Sequence, residues 1–350
     1  MSRTQPDRTQ PDRTKQDTYT IREAVHTALD RALADDDRVL LMGEDIADPA
    51  GGISGITNGL STKHGRDRVR DTPISEAAIA GAAIGAALDG LLPVAEIMIM
   101  DFIGIALDQI ANHAAKVRFM SGNRTPCPVT FRTAVFGGTG NGATHSQSLE
   151  AWFMHIPGLK IIIPSTPAEA EGLLYASIFD PDPCLFIEST ATYGVKGPLP
   201  ADANLSIPLG TADLKRRGTD VSVITYGRGV VDALKAAEVL SADGIDVEVV
   251  DLRCLLPLDL PTVLESVGRT RRAVVAHYAT EFAGPGAELA ARISHDRFGQ
   301  LAAPVERVGA RFRPIPASVP LESLVSLSAA RIDAAVRKVM GRKVIGDARG

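Results

Sequence analysis

The 350-residue chain reads as an α/β protein of two doubly wound open-sheet domains. Three observations predict this. Short apolar runs rich in Val and Ile alternate with segments whose apolar residues recur at helical spacing. The run LPVAEIMIM at 92–100 is apolar almost throughout, the mark of a strand covered on both faces and so of parallel sheet. After a proline-rich passage at 198–208 the alternation starts again, and the length suits about two domains. The expected division is a first domain over 18–197, a linker over 198–212 and a second domain over 213–340.

Residues 1–17 repeat RTQPD and carry no aliphatic residue after Met1, so a disordered tail is expected there. Thr20 suits the cap of a helix over 21–34, whose stripe is Ile21, Ala24, Val25, Ala28, Leu29 and Ala32. A short buried strand follows at 38–42, then a glycine-rich loop through Gly51, Gly52, Gly55 and Gly59. Thr72 as cap and Pro73 at the first helical position predict a helix that places Glu76 in its first turn. Its run of Ala, Gly and Ile predicts burial and close approach of neighbours. The strand at 92–100 leads to a helix over 103–120 with Asp108, Gln109, Asn112, His113 and Lys116 on one side. Strands at 128–132, 158–165 and 184–188 and a helix at 167–179 complete the first half. Strands at 220–226, 246–251, 273–277 and 304–308 alternate with helices at 230–242, 260–267 and 286–295 in the second. A last helix at 321–340 precedes a flexible tail at 341–350.

Composition excludes several functions. With 45% hydrophobic and 23% charged residues the chain can bury a sizeable core. A net charge of −5 and a pI near 5.8 offer nothing to nucleic acid or an anionic membrane. No apolar run reaches the roughly 18 residues that span a bilayer, and the N-terminus lacks a signal-peptide core, so a cytoplasmic location is expected. Cys127, Cys184 and Cys254 are far apart in apolar sequence, which predicts buried reduced thiols.

Three places carry candidate chemistry. Glu76 is the one ionisable group at the start of an apolar helix, where it either steadies the helix dipole or does proton chemistry with a pKa raised by its surroundings. Glu44 and Asp45 follow a strand end, where open α/β sheets bind ligands, though they could simply cap the next turn. His145 ends the loop GGTGNGATHSQ at 137–147, as a solvated loop histidine or a mobile catalytic one. That loop matches neither G-x-G-x-x-G nor a P-loop.

Four segments carry a resemblance: DTPISEAAIAGAAIGAALDGLLPVAEIMIMDF, MSGNRTPCPVTFRT, THSQSLEAWFMHIPGLKIIIPSTPAEAEGLL and VEVVDLRCLLPLD. Together they resemble the beta subunit of the thiamine-diphosphate-dependent decarboxylating component of 2-oxoacid dehydrogenase complexes. Pyruvate, branched-chain and acetoin dehydrogenases belong to that group, which is related to transketolase. The resemblance runs in register over residues 18–340. It implies a transketolase-like pyrimidine-binding domain followed by a transketolase C-terminal domain. It also implies that Glu76 hydrogen-bonds N1′ of the cofactor's aminopyrimidine, that Met98 and Phe102 pack on that ring, that Glu44 lies near it, and that His145 faces substrate and lipoyl group. Val129, Ser177, Ile178, Asp180 and Asp182 match positions that hold a structural potassium ion in some relatives.

In that family the glutamate shares its proton with N1′ and so favours the imino tautomer, letting the cofactor act as its own base. The diphosphate is held through Mg²⁺ by a G-D-G segment followed about 25 to 30 residues later by Asn, oxygen ligands that suit a hard cation. This chain has only Gly346-Asp347-Ala348 near its end. The resemblance therefore implies that Mg²⁺ and the diphosphate are held by an alpha subunit, in an α2β2 tetramer that acylates a lipoyl acyltransferase component. Two other readings compete: transfer of a carbon unit to an aldehyde, as in transketolase, and a non-catalytic scaffold. A scaffold would not need Glu76 and His145. Where the family carries an acidic residue at a strand end, this chain reads AHYATEFAGPGAE over 276–288.

Overall fold

The computed structural model describes residues 18–198 and 206–341. The expected tail at 1–17, all but the first residue of the tail at 341–350, and residues 199–205 of the linker lie outside these residues. Two open sheets form the frame. The larger has seven strands in the order Cys254–Leu256, Lys160–Ile162, Cys184–Ser189, Thr130–Val135, Leu92–Ile99, Val39–Gly43, Val69–Asp71. All pair parallel except Cys254–Leu256, which joins Lys160–Ile162 antiparallel. The smaller has five, Glu306–Ala310, Ala273–Thr280, Val221–Thr225, Val247–Asp251 and Asp213–Arg216, the last antiparallel at the edge. A ribbon of Thr18–Thr20 with Lys196–Pro198 ties the start of the first half to its end.

Local chemistry explains most of the helices. Thr20 accepts from the Glu23 amide while the Glu23 carboxylate accepts from the Thr20 amide, a capping box that starts helix Ile21–Asp35. Its buried stripe packs against helix Pro167–Ile178 on one face of the large sheet. Helix Glu76–Leu88 and the 100–120 segment cover the other face. Central strand Leu92–Ile99 is buried between them, as its apolar run requires.

Within that strand Glu96 is 5% exposed and needs a counter-charge. The next strand supplies Arg132, whose Nη1 lies 2.7 Å from Glu96 and whose Nε lies 2.7 Å from Glu188 one strand further on. The Tyr193 hydroxyl donates to the second Glu188 oxygen and the Ile53 amide to the second Glu96 oxygen, so one guanidinium ties three strands and a loop together.

Several expectations are corrected. The helix carrying Glu76 starts at Glu76 itself, because the Thr72 amide donates to Gly43 O and holds residue 72 extended beside the strand. That helix is buried on one side only, with Ala78, Ala82 and Gly85 exposed. In place of a single helix at 103–120 the chain forms a 3₁₀ turn Met100–Ala106, a π turn Gln109–Ala114 and helix Ala115–Met120. Buried Met100, Ile103 and Ala106 repeat every three residues, the 3₁₀ period, whereas Ile110 and Ala114 follow at intervals of four. The glycine-rich loop contains a turn, Ile53–Gly55, and helix Leu60–His64. The last helix is two, Val319–Val325 and Ala329–Val339, since Ser328 caps a fresh start by accepting from the Arg331 amide. Strands Val69–Asp71, Asp213–Arg216 and Cys254–Leu256 were not expected. Strand Lys160–Ile162 is shorter than expected.

The halves are joined by buried polar contacts. Glu169, in the first, pairs with Lys215 and with Arg253 at 2.6 Å, while Ser165 donates to Asp251 at 2.5 Å. The Tyr226 hydroxyl donates to Glu150 at 2.8 Å. All three cysteines are free and buried, as expected, and burial pushes the Cys127 and Cys254 thiols up to about 11. Among the described residues no helix is long and apolar enough to cross a membrane.

Candidate functional site

The candidate residues lie at the carboxyl ends of the large sheet's strands, where parallel sheets present their ligand sites. Glu44 follows directly on strand Val39–Gly43. Pairing of Gly43 with Glu96 puts Glu44 within two residues of the level of Met98 on the neighbouring strand. The hydrogen bond from Thr72 to Gly43 brings the chain back to the same edge, and Glu76 opens its helix there. Strand Thr130–Val135 ends at the glycine loop that carries His145.

Two pairs are brought together. Glu44 and Glu76 are close enough to interact electrostatically: burial first, then the charges of Asp45 and Glu76, push the Glu44 carboxyl above its ordinary value. Phe102 and His145 meet edge to face, with ring centroids 5.2 Å apart. Met98 is half-buried at the strand end and packs on the opposite core from Phe102. Glu76 is 8% exposed, and among the described residues its carboxylate makes no hydrogen bond or ion pair. Its oxygens are not among the buried polar atoms left without a partner, so the carboxylate of this largely buried residue is open at the sheet edge. It suits a ligand with a nitrogen to offer.

His145 is held from several directions. Its Nδ1 lies 2.9 Å from the Thr144 hydroxyl and its amide donates to Gly142 O. Two residues on, Gln147 donates from its amide and from Nε2 to Asp101, the residue beside Phe102. Burial pushes the Asp101 carboxyl up, opposed by these bonds and by the nearby His145. Sequence reading left Asp101 and Gln147 without a role, although both flank residues it had chosen.

The five potassium-related positions gather where helix Pro167–Ile178 ends and strand Cys184–Ser189 begins. Asp180 receives Lys160 Nζ at 2.6 Å, and Asp182 receives Arg118 at 2.5 Å. The Val129 carbonyl accepts from the Cys184 amide and Ser177 O from the Asp180 amide, while the Ser177 hydroxyl donates to Leu173 O. The side-chain charge is thus already balanced, which leaves a cation only main-chain oxygens there. Among the described residues no group of three or more His, Cys, Asp or Glu could hold a metal ion.

A cleft of about 100 Å³ lies between the halves, lined among others by Gln147, Glu150, Tyr226, Arg228, Arg311 and Glu322. None of Glu44, Glu76, Met98, Phe102 or His145 lines it. Near the candidate residues in sequence, Ile74, two residues before Glu76, is 73% exposed and Ile105, three after Phe102, is 60% exposed.

The chain matches the family model for the transketolase pyrimidine-binding domain over residues 17–196 and that for the transketolase C-terminal domain over 210–332. It is 46% identical over 330 residues to the acetoin:2,6-dichlorophenolindophenol oxidoreductase subunit beta of Cupriavidus necator, covering 92% of this chain and 97% of that one. It is 40% identical to the pyruvate dehydrogenase E1 component subunit beta of Rhizobium meliloti, covering 92% of this chain and 70% of that one. A solved split-gene transketolase, described as an inactive beta4 tetramer, superposes with a TM-score of 0.75 at 22% identity, over 93% of this chain and 99% of that one. At that identity the superposition speaks for the fold alone.

Proposed function

The chain belongs to the transketolase-like family of acetoin and pyruvate dehydrogenase beta subunits, and from that premise we propose that it is the beta subunit of a thiamine-diphosphate-dependent 2-oxoacid or acetoin dehydrogenase. Its partner is an alpha subunit, in an α2β2 tetramer, and its product passes as an acyl group to the lipoyl group of an acyltransferase component. The observation that carries this reading is Glu76, a largely buried residue whose carboxylate is open and has no partner among the described residues, at the carboxyl edge of the large sheet. Relatives named for acetoin match at 46% and 43% identity and those named for pyruvate at 40% and 41%, which favours acetoin as the substrate to test first.

Thiamine diphosphate, when bound, supplies the sink for the electron pair left as a carbon–carbon bond breaks. In this reading the domain over 18–197 takes the pyrimidine half and the alpha subunit takes the diphosphate with Mg²⁺. Glu76 holds a proton at N1′ of the aminopyrimidine. Glu44, pushed upward by burial and by the charges beside it, lies next to Glu76. Phe102 offers an apolar wall that keeps water from the ring, while Met98, packed on the opposite core, is assigned to the ring by the resemblance alone. His145 holds a proton toward the substrate oxygen or positions the lipoyl dithiolane. A structural potassium ion, if part of the assembly, would rest on the carbonyls of Val129, Ser177 and Ile178, since Asp180 and Asp182 are paired. A cytoplasmic location and a second domain over 213–340 that docks against the first complete the reading.

The experiment is reconstitution with a chain that carries the missing G-D-G segment. The beta chain alone should reduce 2,6-dichlorophenolindophenol with neither acetoin nor pyruvate. The mixture should form a tetramer by light scattering and turn over one of them. Turnover by the isolated chain would overturn the half-site reading.

A further inference from the structure

We propose that Glu322, far along the chain in the second half, is a positioning residue for His145, and that its carboxylate fixes the glycine loop that delivers the imidazole. The proposal rests on the reading of His145 given above. Glu322 is 1% exposed. One of its oxygens accepts from the Gly138 amide at 2.5 Å and the other from the Gly140 amide at 2.9 Å. Arg228, also from the second half, donates to Gly137 O at 3.0 Å while its guanidinium lies 4.3 Å over the Tyr278 ring.

The glycines are needed because the backbone itself is the contact surface. Gly138 and Gly140 have φ of 97° and 79°; a Cβ on Gly138 would come within 2.8 Å of Arg228 Nη1, and one on Gly140 within 2.8 Å of Ala317 O. On the far side of His145 the Gln147 bonds to Asp101 hold the loop to the first half. His145 therefore sits between two carboxylate anchors, one from each half. A loop tied at both ends retains little freedom, so the imidazole is placed before substrate arrives.

The residue type matters here. Both Glu322 oxygens are acceptors facing N–H donors. Glutamine would turn an NH₂ toward one of those donors, and aspartate would be a methylene too short. On the full-length chain, hydrogen exchange at the Gly138 and Gly140 amides should speed up at least about 10-fold in Glu322→Gln, since a charge-assisted bond to each amide is weakened or lost. In the reconstituted enzyme Glu322→Gln should lower lipoamide turnover about 10-fold, but less than about 2-fold when His145→Ala is already present, because residues acting through one group are not additive. Should Glu322→Gln fail to assemble, Glu322→Asp, too short to reach both amides, carries the same two measurements. Unchanged amide exchange, or effects that multiply in the double variant, would overturn the proposal. Wild-type turnover by His145→Ala would overturn the reading of His145 instead, a separate failure.

Discussion

Replacing Glu76 by glutamine separates a structural from a chemical role for the residue, because the structure sets the two effects at different sizes. As the first residue of helix Glu76–Leu88, with no side-chain cap from Ser75, its charge steadies the helix start by about 0.3–1 kcal/mol. Against this, Glu44 is pushed upward partly by the Glu76 charge, so glutamine also relieves a like-charge contact. The carboxylate has no hydrogen bond to lose among the described residues. Stability should therefore stay within about 1 kcal/mol of wild type, since the two effects oppose each other. Removing a positioned proton-transfer group lowers a rate by about 10²-fold, or about 2.7 kcal/mol of barrier. The assay pairs urea unfolding of the chain with exchange of the bound cofactor's C2 proton for deuterium in the reconstituted tetramer. Exchange within a few-fold of wild type would refute the proton-holding role, as would a stability loss large enough to explain the rate.

Two further outcomes follow from buried charge. Arg132→Met leaves the Glu96 and Glu188 carboxylates facing each other without a cation and should cost about 3–5 kcal/mol in urea unfolding; a loss under about 1 kcal/mol would show the network to be dispensable. Burial and the neighbouring Glu169 charge push Asp251 from 3.8 up to about 7, so the folded state binds its proton more tightly. Stability from this group is full below the unfolded pKa and is lost as pH rises toward 7. The unfolding free energy of wild type should thus fall relative to Asp251→Asn between pH 4.5 and 7.5, and a constant difference would refute it.

Legibility in the sequence tracked the distance over which each cause acts. The capping box at Thr20 and Glu23 and the apolar run at 92–100 are local, and the structure has both. The start of the Glu76 helix was misread because its cause, the Gly43 carbonyl, lies 29 residues upstream of Thr72 on another strand. His145 stood out by its glycine-rich loop and Phe102 by resemblance, but their ring contact could not have been read across the 42 residues between them. Glu322 gave no local signal, since its partners lie 182 and 184 residues away. Strand Cys254–Leu256 is only three residues long and follows Asp251 almost at once, too short to show a period of its own.

That short strand has a consequence for biosynthesis. The large sheet is built from residues 39–189 and then, across a gap of 64 residues, from Cys254–Leu256. As the chain leaves the ribosome, Lys160–Ile162 emerges with a bare edge whose native partner is the late-arriving segment. Until about a third of the second half has been synthesised, that edge is a template open to any extended chain nearby. The two halves are thus one folding unit in time, although they are two in architecture, and a nascent chain stalled before residue 254 would be the form most in need of a chaperone.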